Sequence, residues 1–199
     1  GLDPTLSQIV VAKDDNAVTL HAGDYTTTPG DVQGWTETVY TIPAKNFADD
    51  GYYRVQVQSV DKAGNLSQNT MDEKNADRTG NAEVNFAVDS TAPTASLLGV
   101  ESGAVYYDQQ GRDVGIDSKD NMGLMRTELY VDGSKVQEWK GEESLESTPQ
   151  YVLAAGDGAR EIVVRTTDMA GNQATSTYDN VYVASNWWQY AIHTAWIRN

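Results

Sequence analysis

The pentapeptide DKAGN at residues 61–65 occurs a second time, with one substitution, as DMAGN at residues 168–172. The residues before it also match without a gap, since DGYYRVQVQSV at 50–60 lies over DGAREIVVRTT at 157–167. A fixed offset over such a stretch marks an internal repeat, which has to be recognised before a fold is assigned. Each copy contains an Asp-Gly turn, an alternating strand and a second turn. The sequence therefore predicts two versions of one β module, an organisation more typical of supporting or binding proteins than of enzymes.

Length and charge restrict the class of protein. The 199 residues are enough for two domains of roughly 100 residues, a usual domain size. The formal net charge is −15 and the pI is near 4.3. Phosphate binding needs a basic face, so nucleic acid is excluded as a favoured partner, and an anionic membrane surface is disfavoured for the same reason. Divalent cations suit this charge better.

Two absences in the sequence narrow the class further. The chain has no cysteine, which excludes disulfides, thiolate catalysis and Cys-ligated metal centres. It has no run of 18 apolar residues that would predict a membrane span. No signal peptide is recognisable at the start of the chain, so we expect a piece of a longer protein. A Cys-free, acidic chain rich in Tyr and Thr favours a bacterial surface protein.

Strands are predicted along most of the chain, because short β-branched and aromatic runs alternate with clusters of Gly, Asn, Asp and Ser. One hairpin is expected around Asp15-Asn16 and a stronger one around Asp132-Gly133, since Asp-Gly suits a type I′ turn. We expect these hairpins to occupy the same place in the two modules. Residues 66–82 are polar and predict a long loop between the last two strands of the first module.

The boundary between the modules is predicted after the alternating strand at 84–88. Pro93 has no N–H and restricts its neighbour, so it suits a short extended linker that limits bending. We assign residues 1–89 to the first module, 90–184 to the second and 185–199 to a Trp-rich tail. The first module has far fewer residues before its hairpin than the second. We therefore expect it to be truncated at its N-terminal end.

The tail and the aromatic residues predict surfaces as well as cores. Residues 188, 191, 192, 195 and 196 follow helical spacing, although they also alternate as in a strand. The 11 Tyr and 5 Trp far outnumber the 2 Phe. Tyr and Trp fill sandwich cores, which their alternation with polar residues favours here, but they also stack on sugars. Trp187, Trp188 and Trp196 predict an exposed patch that contacts a neighbouring domain outside this chain.

The repeated Asp-x-Ala-Gly-Asn motif has two interpretations. In the first it is a structural turn, in which the Asp accepts backbone N–H groups and the Gly adopts a left-handed conformation. In the second its oxygens bind calcium, which takes six to eight oxygen ligands. For the first module the candidate ligands are Asp61, Asn65 and Asp89, with Asp117 or Asp120 from the second module. Asp168 and Asn172 are the equivalent candidates in the second copy.

Catalysis has little support in the sequence. Paired acids can hydrolyse glycosides when they flank the scissile bond, but the pairs at 14–15, 49–50 and 142–143 are adjacent residues in turns, which is typical of a solvated face. His21 and His193 have no nearby Ser or Asp that would form a triad or a metal site. No Gly-rich phosphate loop precedes a helix. We expect no enzyme activity and no organic cofactor.

Several motifs give the chain a resemblance to the tandem Ig-like domains of bacterial cell-surface proteins. They are, in chain order, residues 35–47 with DGYY at 50–53, DKAGN at 61–65, VDSTAPT at 88–94, DNMGL at 120–124, LYVDG at 129–133, DMAGN at 168–172 and VASNWW at 183–188. The resemblance covers nearly the whole chain and is more specific for fold and location than for ligand. It implies a row of sandwich modules outside a Gram-positive bacterium, spacing an active head from the envelope. Some members of the family bind calcium at module junctions and some form Lys–Asn isopeptide bonds, but no residue here is assigned to either on that ground.

The sequence analysis predicts an all-β chain of two tandem Ig-like antiparallel β-sandwich domains. Its predicted function is that of a non-catalytic, extracellular spacer or stalk attached to a cell surface. No cofactor is expected, and structural calcium is the alternative that the second interpretation of the turns offers. The expected partners are other domains of the same protein and a host or environmental glycan or protein. An adhesin or glycan-binding module that uses surface Tyr and Trp is the alternative. An acidic hydrolase is a third class, and it requires a cleft with two converging carboxylates.

Overall fold

The structure is a computed structural model, and it describes residues 2–21, 23–32, 35–68, 84–141, 144–145, 149–156 and 158–197. Within these residues the chain is all-β apart from one helix near its end and one short 3-10 turn. It divides into two compact units, Gly1–Asp89 and Ser90–Asn199.

The first unit contains a five-stranded antiparallel sheet and a separate two-stranded hairpin. Its elements are β1 (Leu2–Lys13), β2 (Asn16–Val18), β3 (Thr26–Val32), β4 (Trp35–Thr41), a 3-10 turn (Ala44–Phe47), β5 (Gly51–Asp61), β6 (Leu66–Gln68) and β7 (Val84–Val88). The sheet has the order β2-β1-β5-β6, and β7 pairs with another part of β5. The hairpin consists of β3 and β4.

Two expectations for the first unit need correction. The hairpin turn is centred on Asp14-Asp15, one residue earlier than expected, because Lys13 already pairs with Asn16 and both aspartates have positive φ. The loop predicted over 66–82 begins later, since residues 66–68 form β6 against β5. The alternation of Leu66 with polar neighbours suits an edge strand. The remainder of that predicted loop, from residue 69, lies outside the described residues.

The second unit is a two-layer sandwich. Its elements are β8 (Thr94–Leu98), β9 (Val105–Tyr107), β10 (Arg112–Lys119), β11 (Leu124–Val131), β12 (Ser134–Lys140), β13 (Ser144–Leu145), β14 (Pro149–Leu153), β15 (Arg160–Asp168), β16 (Gln173–Ala184) and α1 (Trp187–Ile197). One sheet has the order β13-β10-β14, with β8 also paired to β10, and the other has the order β12-β11-β15-β16-β9. The second sheet has the strand order C′-C-F-G of an immunoglobulin sandwich. Among the described strand pairs of this unit, all are antiparallel except β9 with β16.

The core of the second unit is formed by side chains from both sheets. Ile116 of β10, Leu129 of β11 and Val164 of β15 are each completely buried in one apolar cluster. These strands alternate, so that one face is apolar and the other polar, as a sheet packed on one side requires. Burying such side chains stabilises the fold by about 1.5–3 kcal/mol each.

The repeat seen in the sequence is a repeat in strand pairing. In the first unit Ile9 of β1 pairs with Val57 of β5. In the second, Leu129 of β11 pairs with Val164 of β15. The two strand-turn-strand hairpins expected from sequence therefore do occupy equivalent places, β1-β2 beside β5 and β11-β12 beside β15.

The tail forms the helix that its spacing predicts, and it belongs to the second unit. Asn186 caps it by accepting a hydrogen bond from the backbone N–H of Gln189, 3.1 Å away. His193 lies on the packed face of the helix, and its ring centroid is 3.8 Å from that of Tyr182. Trp188 and Ile192, two members of the predicted apolar stripe, are 76% and 56% exposed. Within the described residues, no helix is long and apolar enough to cross a membrane.

Candidate metal centre

Two loops at one edge of the second unit bring aspartates together. Asp120 follows the end of β10, and Asp168 is the last residue of β15. The loops are joined by a hydrogen bond from the N–H of Met169 to the carbonyl of Gly123 (3.2 Å). Oxygens of Asp120, Asp168 and Asp89, the residue that leads into this unit, all lie within 4.8 Å of one another. We call these three residues the aspartate group.

Each of the two loop aspartates uses one oxygen to hold its own turn. Asp120 Oδ2 accepts the N–H groups of Met122 (2.7 Å) and Gly123 (2.9 Å). Asp168 Oδ1 accepts those of Gly171 (2.7 Å) and Asn172 (2.8 Å). The second oxygen of each, Asp120 Oδ1 and Asp168 Oδ2, is buried and has no hydrogen-bond partner. Such an atom costs free energy unless something compensates it, and a carboxylate costs more than a neutral group.

The interior next to Asp168 is polar. Ser118 Oγ lies 2.9 Å from Thr166 Oγ1, which in turn lies 3.2 Å from Thr127 Oγ1, and all three residues are buried. These hydroxyls satisfy one another between the apolar core and the end of β15. Asp168 itself has no exposed surface. The carboxylate of Asp168 is therefore shielded from solvent, and the neighbouring hydroxyl groups are already hydrogen-bonded to one another.

The equivalent aspartate in the first unit has different surroundings. Asp61 repeats the turn, since its Oδ1 accepts the N–H groups of Ala63 (2.8 Å) and Asn65 (2.9 Å). Its second oxygen accepts the side-chain amide of Asn65 at 2.8 Å. That side-chain bond, followed by the backbone bond from Asn65, lowers the pKa of Asp61 below its ordinary value. Both oxygens of Asp61 are thus occupied within its own turn.

The structure brings only three of the seven candidate calcium ligands together. Asp89, Asp120 and Asp168 come together, whereas Asp61 and Asn65 bond to each other. Asp117 forms an ion pair with Lys119 at 3.3 Å. The side-chain amide of Asn172 donates to the carbonyl of Thr91 at 3.4 Å. The expected ligand set combined Asp61 with Asp89, but it is Asp168 that lies beside Asp89.

The aspartate group fits a hard divalent cation. Three carboxylates supply oxygen ligands of the kind that calcium prefers, and carbonyl groups or water can complete six to eight positions. The chain offers no thiolate, so metals that select sulfur have no ligand here. Residues 61–65 and 168–172 form the same backbone turn, so the turn alone does not explain why Asp168 has an unpartnered oxygen.

Comparisons with known proteins supply no family for this chain. No family model matches it, and no curated protein matches it. Among solved structures it is similar to fibronectin(III)-like modules of Clostridium thermocellum CbhA, with 17% identity, a TM-score of 0.38, 88% of this chain covered and 77% of that one. It is also similar to SGBP-B of the Bacteroides ovatus mixed-linkage glucan utilization locus, solved with a mixed-linkage heptasaccharide. That match has 17% identity, a TM-score of 0.23, and covers 88% of this chain but only 37% of the other.

Proposed function

We propose that this chain is a non-catalytic structural segment of an extracellular bacterial surface protein, where it spaces other domains of the same protein. We propose further that a calcium ion held by the aspartate group stabilises its second unit. The observation that carries the calcium proposal is that Asp120 Oδ1 and Asp168 Oδ2 are buried without a hydrogen-bond partner, on two aspartates whose carboxylates come within 4.8 Å of each other. Two carboxylates that approach each other in a protein interior repel, and a cation between them offsets both the repulsion and the loss of water.

An extracellular location is consistent with this kind of site. Calcium sites in extracellular modules bind with dissociation constants of about 10⁻⁴–10⁻³ M, whereas cytosolic buffers bind far more tightly through dedicated loops. The aspartate group contains three carboxylates from separate parts of the chain and no such loop. A net charge of −15 would also keep the protein soluble and attract divalent cations.

A hydrolytic role for the aspartate group is not supported. A catalytic carboxylate has to reach the proton or atom on which it acts. Asp168 is completely buried, and one oxygen of each loop aspartate is engaged in its own turn. The converging carboxylates therefore fit a structural cation better than a substrate.

A binding module remains the second candidate, because some of the aromatic residues are exposed. Tyr53 is buried in the core of the first unit, as a spacer would require, and Tyr106 and Trp139 are half-buried. Tyr52 and Tyr107, however, are 60% and 45% exposed. Exposed aromatic rings favour contact with a ligand or partner.

Thermal unfolding of the full chain in EDTA and in added calcium tests the calcium site. Binding to the folded state alone stabilises it by RT ln(1 + [Ca²⁺]/Kd), which is about 2.7 kcal/mol when calcium is at 100 times Kd. We expect an upward shift of several degrees in calcium and a smaller shift in magnesium, which gives up its water less readily. Asp168→Asn keeps an oxygen for the turn but removes a charge, so this variant should lose the calcium shift and melt higher than the native chain in EDTA.

Asp61→Asn is the matched control, since it makes the same change in the equivalent turn of the first unit. It should keep the full calcium response. If the native chain shows no calcium shift, the metal proposal is wrong. An equal shift in the Asp168→Asn variant would place the ion elsewhere and would contradict the assignment to the aspartate group.

A further inference from the structure

The first unit has an open groove of about 720 Å³, which is lined in part by Tyr53 and Phe86. Six of the residues that line the groove form the candidate binding surface: Asp14, Asp15, Tyr52, Arg54, Asn85 and Ala87. They come from the β1-β2 turn and from the paired strands β5 and β7. The groove shares no residue with the aspartate group.

An exposed tyrosine ring lies in this groove. Successive residues of a strand face opposite sides of a sheet, so Tyr52 and Tyr53 point in opposite directions. Tyr53 is only 3% exposed and stacks on Phe86, with ring centroids 5.5 Å apart and 14° between the planes. Tyr52 points outward and pairs across the strands with Ala87, whose small side chain cannot cover the ring. The ring face of Tyr52 is thus available to a ligand.

Polar groups surround this ring. Arg54 lies two residues from Tyr52 on the same side of β5 and pairs in register with Asn85 of β7. The Arg54 guanidinium forms an ion pair with Asp15 at 3.7 Å. A concave surface with an aromatic ring and a few convergent donors and acceptors is the usual composition of a small-ligand site.

The turn that carries the two aspartates adopts an uncommon backbone conformation. Asp14 and Asp15 have φ of 48° and 62°, in the left-handed region that costs most residues about 1–2 kcal/mol. In the second unit the equivalent turn has glycine, Gly133, at its second position. Strained non-glycine residues concentrate at functional sites. Asp15 therefore occupies a position where the fold itself favours glycine.

The repeat provides an internal comparison for the other groove residues. At the same offset as the shared motif, Tyr52 corresponds to Ala159 and Arg54 to Glu161. The repeated strands correspond, since Ile9 pairs with Val57 and Leu129 with Val164, although the pairing of β11 with β15 ends at Ile162 and that of β1 with β5 continues to Tyr53. The shared fold therefore requires neither the tyrosine ring nor the guanidinium, and these groups are particular to the first unit.

We propose that this groove is a binding site for a neutral oligosaccharide. A sugar ring stacks its C–H face on Tyr52, while its hydroxyl groups bond to Asp15, Arg54 and Asn85, which together offer both donors and acceptors. Asp14 is paired with Lys13 at 3.6 Å and Asp15 with Arg54, so these pairs leave no surplus positive charge for an acidic sugar, and the whole chain carries −15, which disfavours acidic sugars. This inference goes beyond the spacer role and does not depend on calcium.

The test is isothermal titration calorimetry of the full chain. The neutral probes are four hexasaccharides, from glucan, mannan, xylan and galactan, and the acidic probe is a hexamer of galacturonic acid. We expect saturable binding of at least one neutral probe and a weaker or absent response to the acidic one. Tyr52→Ala should weaken binding by roughly tenfold or more, since it removes the stacking surface. Arg54→Gln should weaken binding several-fold while keeping some hydrogen bonding.

Tyr107→Ala is the control, because Tyr107 is also exposed but belongs to the second unit. It should bind the neutral probe like the native chain. Tyr52 is exposed, so its replacement should leave the melting temperature nearly unchanged, which separates a lost contact from a lost fold. No saturable response to any of the four neutral probes would overturn the proposal. So would native affinity in the Tyr52→Ala variant, or tighter binding of the acidic hexamer.

Discussion

Asp61 and Asp168 occupy the same position of the same pentapeptide and have opposite surroundings. Each accepts two backbone N–H groups through one oxygen, so the turn itself is encoded by the local sequence. The other oxygen of Asp61 is bonded to the amide of Asn65, whereas that of Asp168 is buried and unpartnered. The side-chain amide of Asn65 donates to Asp61, whereas that of Asn172 donates to the carbonyl of Thr91, so the same motif leaves its aspartate in different surroundings.

The titration of Asp61 gives a prediction for Asn65. Hydrogen bonds from Asn65 favour the charged carboxylate, so the folded-state pKa of Asp61 lies below its unfolded value. The stabilisation is therefore present above the unfolded pKa and is lost as the pH falls through the folded pKa. Asn65→Ala should raise the pKa of Asp61 towards its ordinary value and reduce the acid dependence of stability. An NMR titration of the side-chain carboxyl carbons measures the pKa of Asp61 in the native chain and in the Asn65→Ala variant.

Asn46→Ala is the control for this measurement, since Asn46 donates to backbone carbonyls in another turn of the first unit. It should leave the Asp61 titration where it is. An unchanged Asp61 pKa in the Asn65→Ala variant would mean that the side-chain bond does not hold the carboxylate.

At the scale of elements, the two hairpins were predictable from turn chemistry, but only one was placed correctly. Asp132-Gly133 forms the expected turn, in which both residues have positive φ. The first hairpin turns at Asp14-Asp15, one residue before the expected Asp15-Asn16. Asn16 was assigned to the turn because of its propensity for turns, but the pairing of β1 with β5 sets where the strand ends. Strand pairing over many residues outweighs a local preference of this size.

The backbone of Gly133 gives a prediction at this scale. Its φ is 76°, and an added Cβ would meet no atom within 4 Å, so only the backbone conformation opposes a side chain. Gly133→Ala should destabilise the second unit by about 1 kcal/mol, the cost of placing a residue with a Cβ in the left-handed region. Chemical denaturation followed by fluorescence measures this change in the free energy of unfolding.

Gly158→Ala is a suitable comparison, because that glycine also has open space around it and does not have a positive φ in the left-handed region. It should change stability much less. Equal effects of the two substitutions would mean that the conformation of Gly133 is not what makes alanine unfavourable there.

The helix illustrates what periodicity can and cannot predict. The spacing of apolar residues in the tail correctly indicates α1. The exposure predicted for Trp187 and Trp188 is confirmed, because their side chains are 60% and 76% exposed. The ring contacts of the helix come from Trp187, Tyr190 and His193, which lie against Tyr107 and Tyr182. A polar-tipped ring can pack as well as an aliphatic chain, so a stripe of apolar residues does not by itself identify the packed face.

At the scale of the whole molecule, the described side chains of the two units differ in how much apolar surface they bury. Among the described side chains, the buried hydrophobic residues of the first unit are Val11, Ala12 and Tyr53. The second unit has 14, which include the cluster around Ile116 and Leu129. Apolar burial is the main favourable term in folding, so we expect the second unit to be the more stable one.

Native-state hydrogen exchange of the full chain tests this expectation. Amides in β11 and β15, which are central in their sheet, should exchange most slowly, and those in β1 and β5 should exchange faster because their unit opens at a lower free energy. The experiment is best done in EDTA, so that calcium does not add to the difference. Equal protection of the central strands in the two units would contradict the argument from burial.

The sequence by itself determined the all-β class, the internal repeat with its strands β5 and β15, the strand β7 and the Asp-x-Ala-Gly-Asn turns. These features depend on alternation and on hydrogen bonds within four or five residues, which the order of residues specifies directly. Only the tertiary structure decided that Asp89 and Asp120 lie beside Asp168, and that Tyr52 faces a groove. Burial and proximity of this kind depend on which loops and strands meet across a sheet. Residues far apart in the chain decide them, so two copies of one motif can have different chemistry.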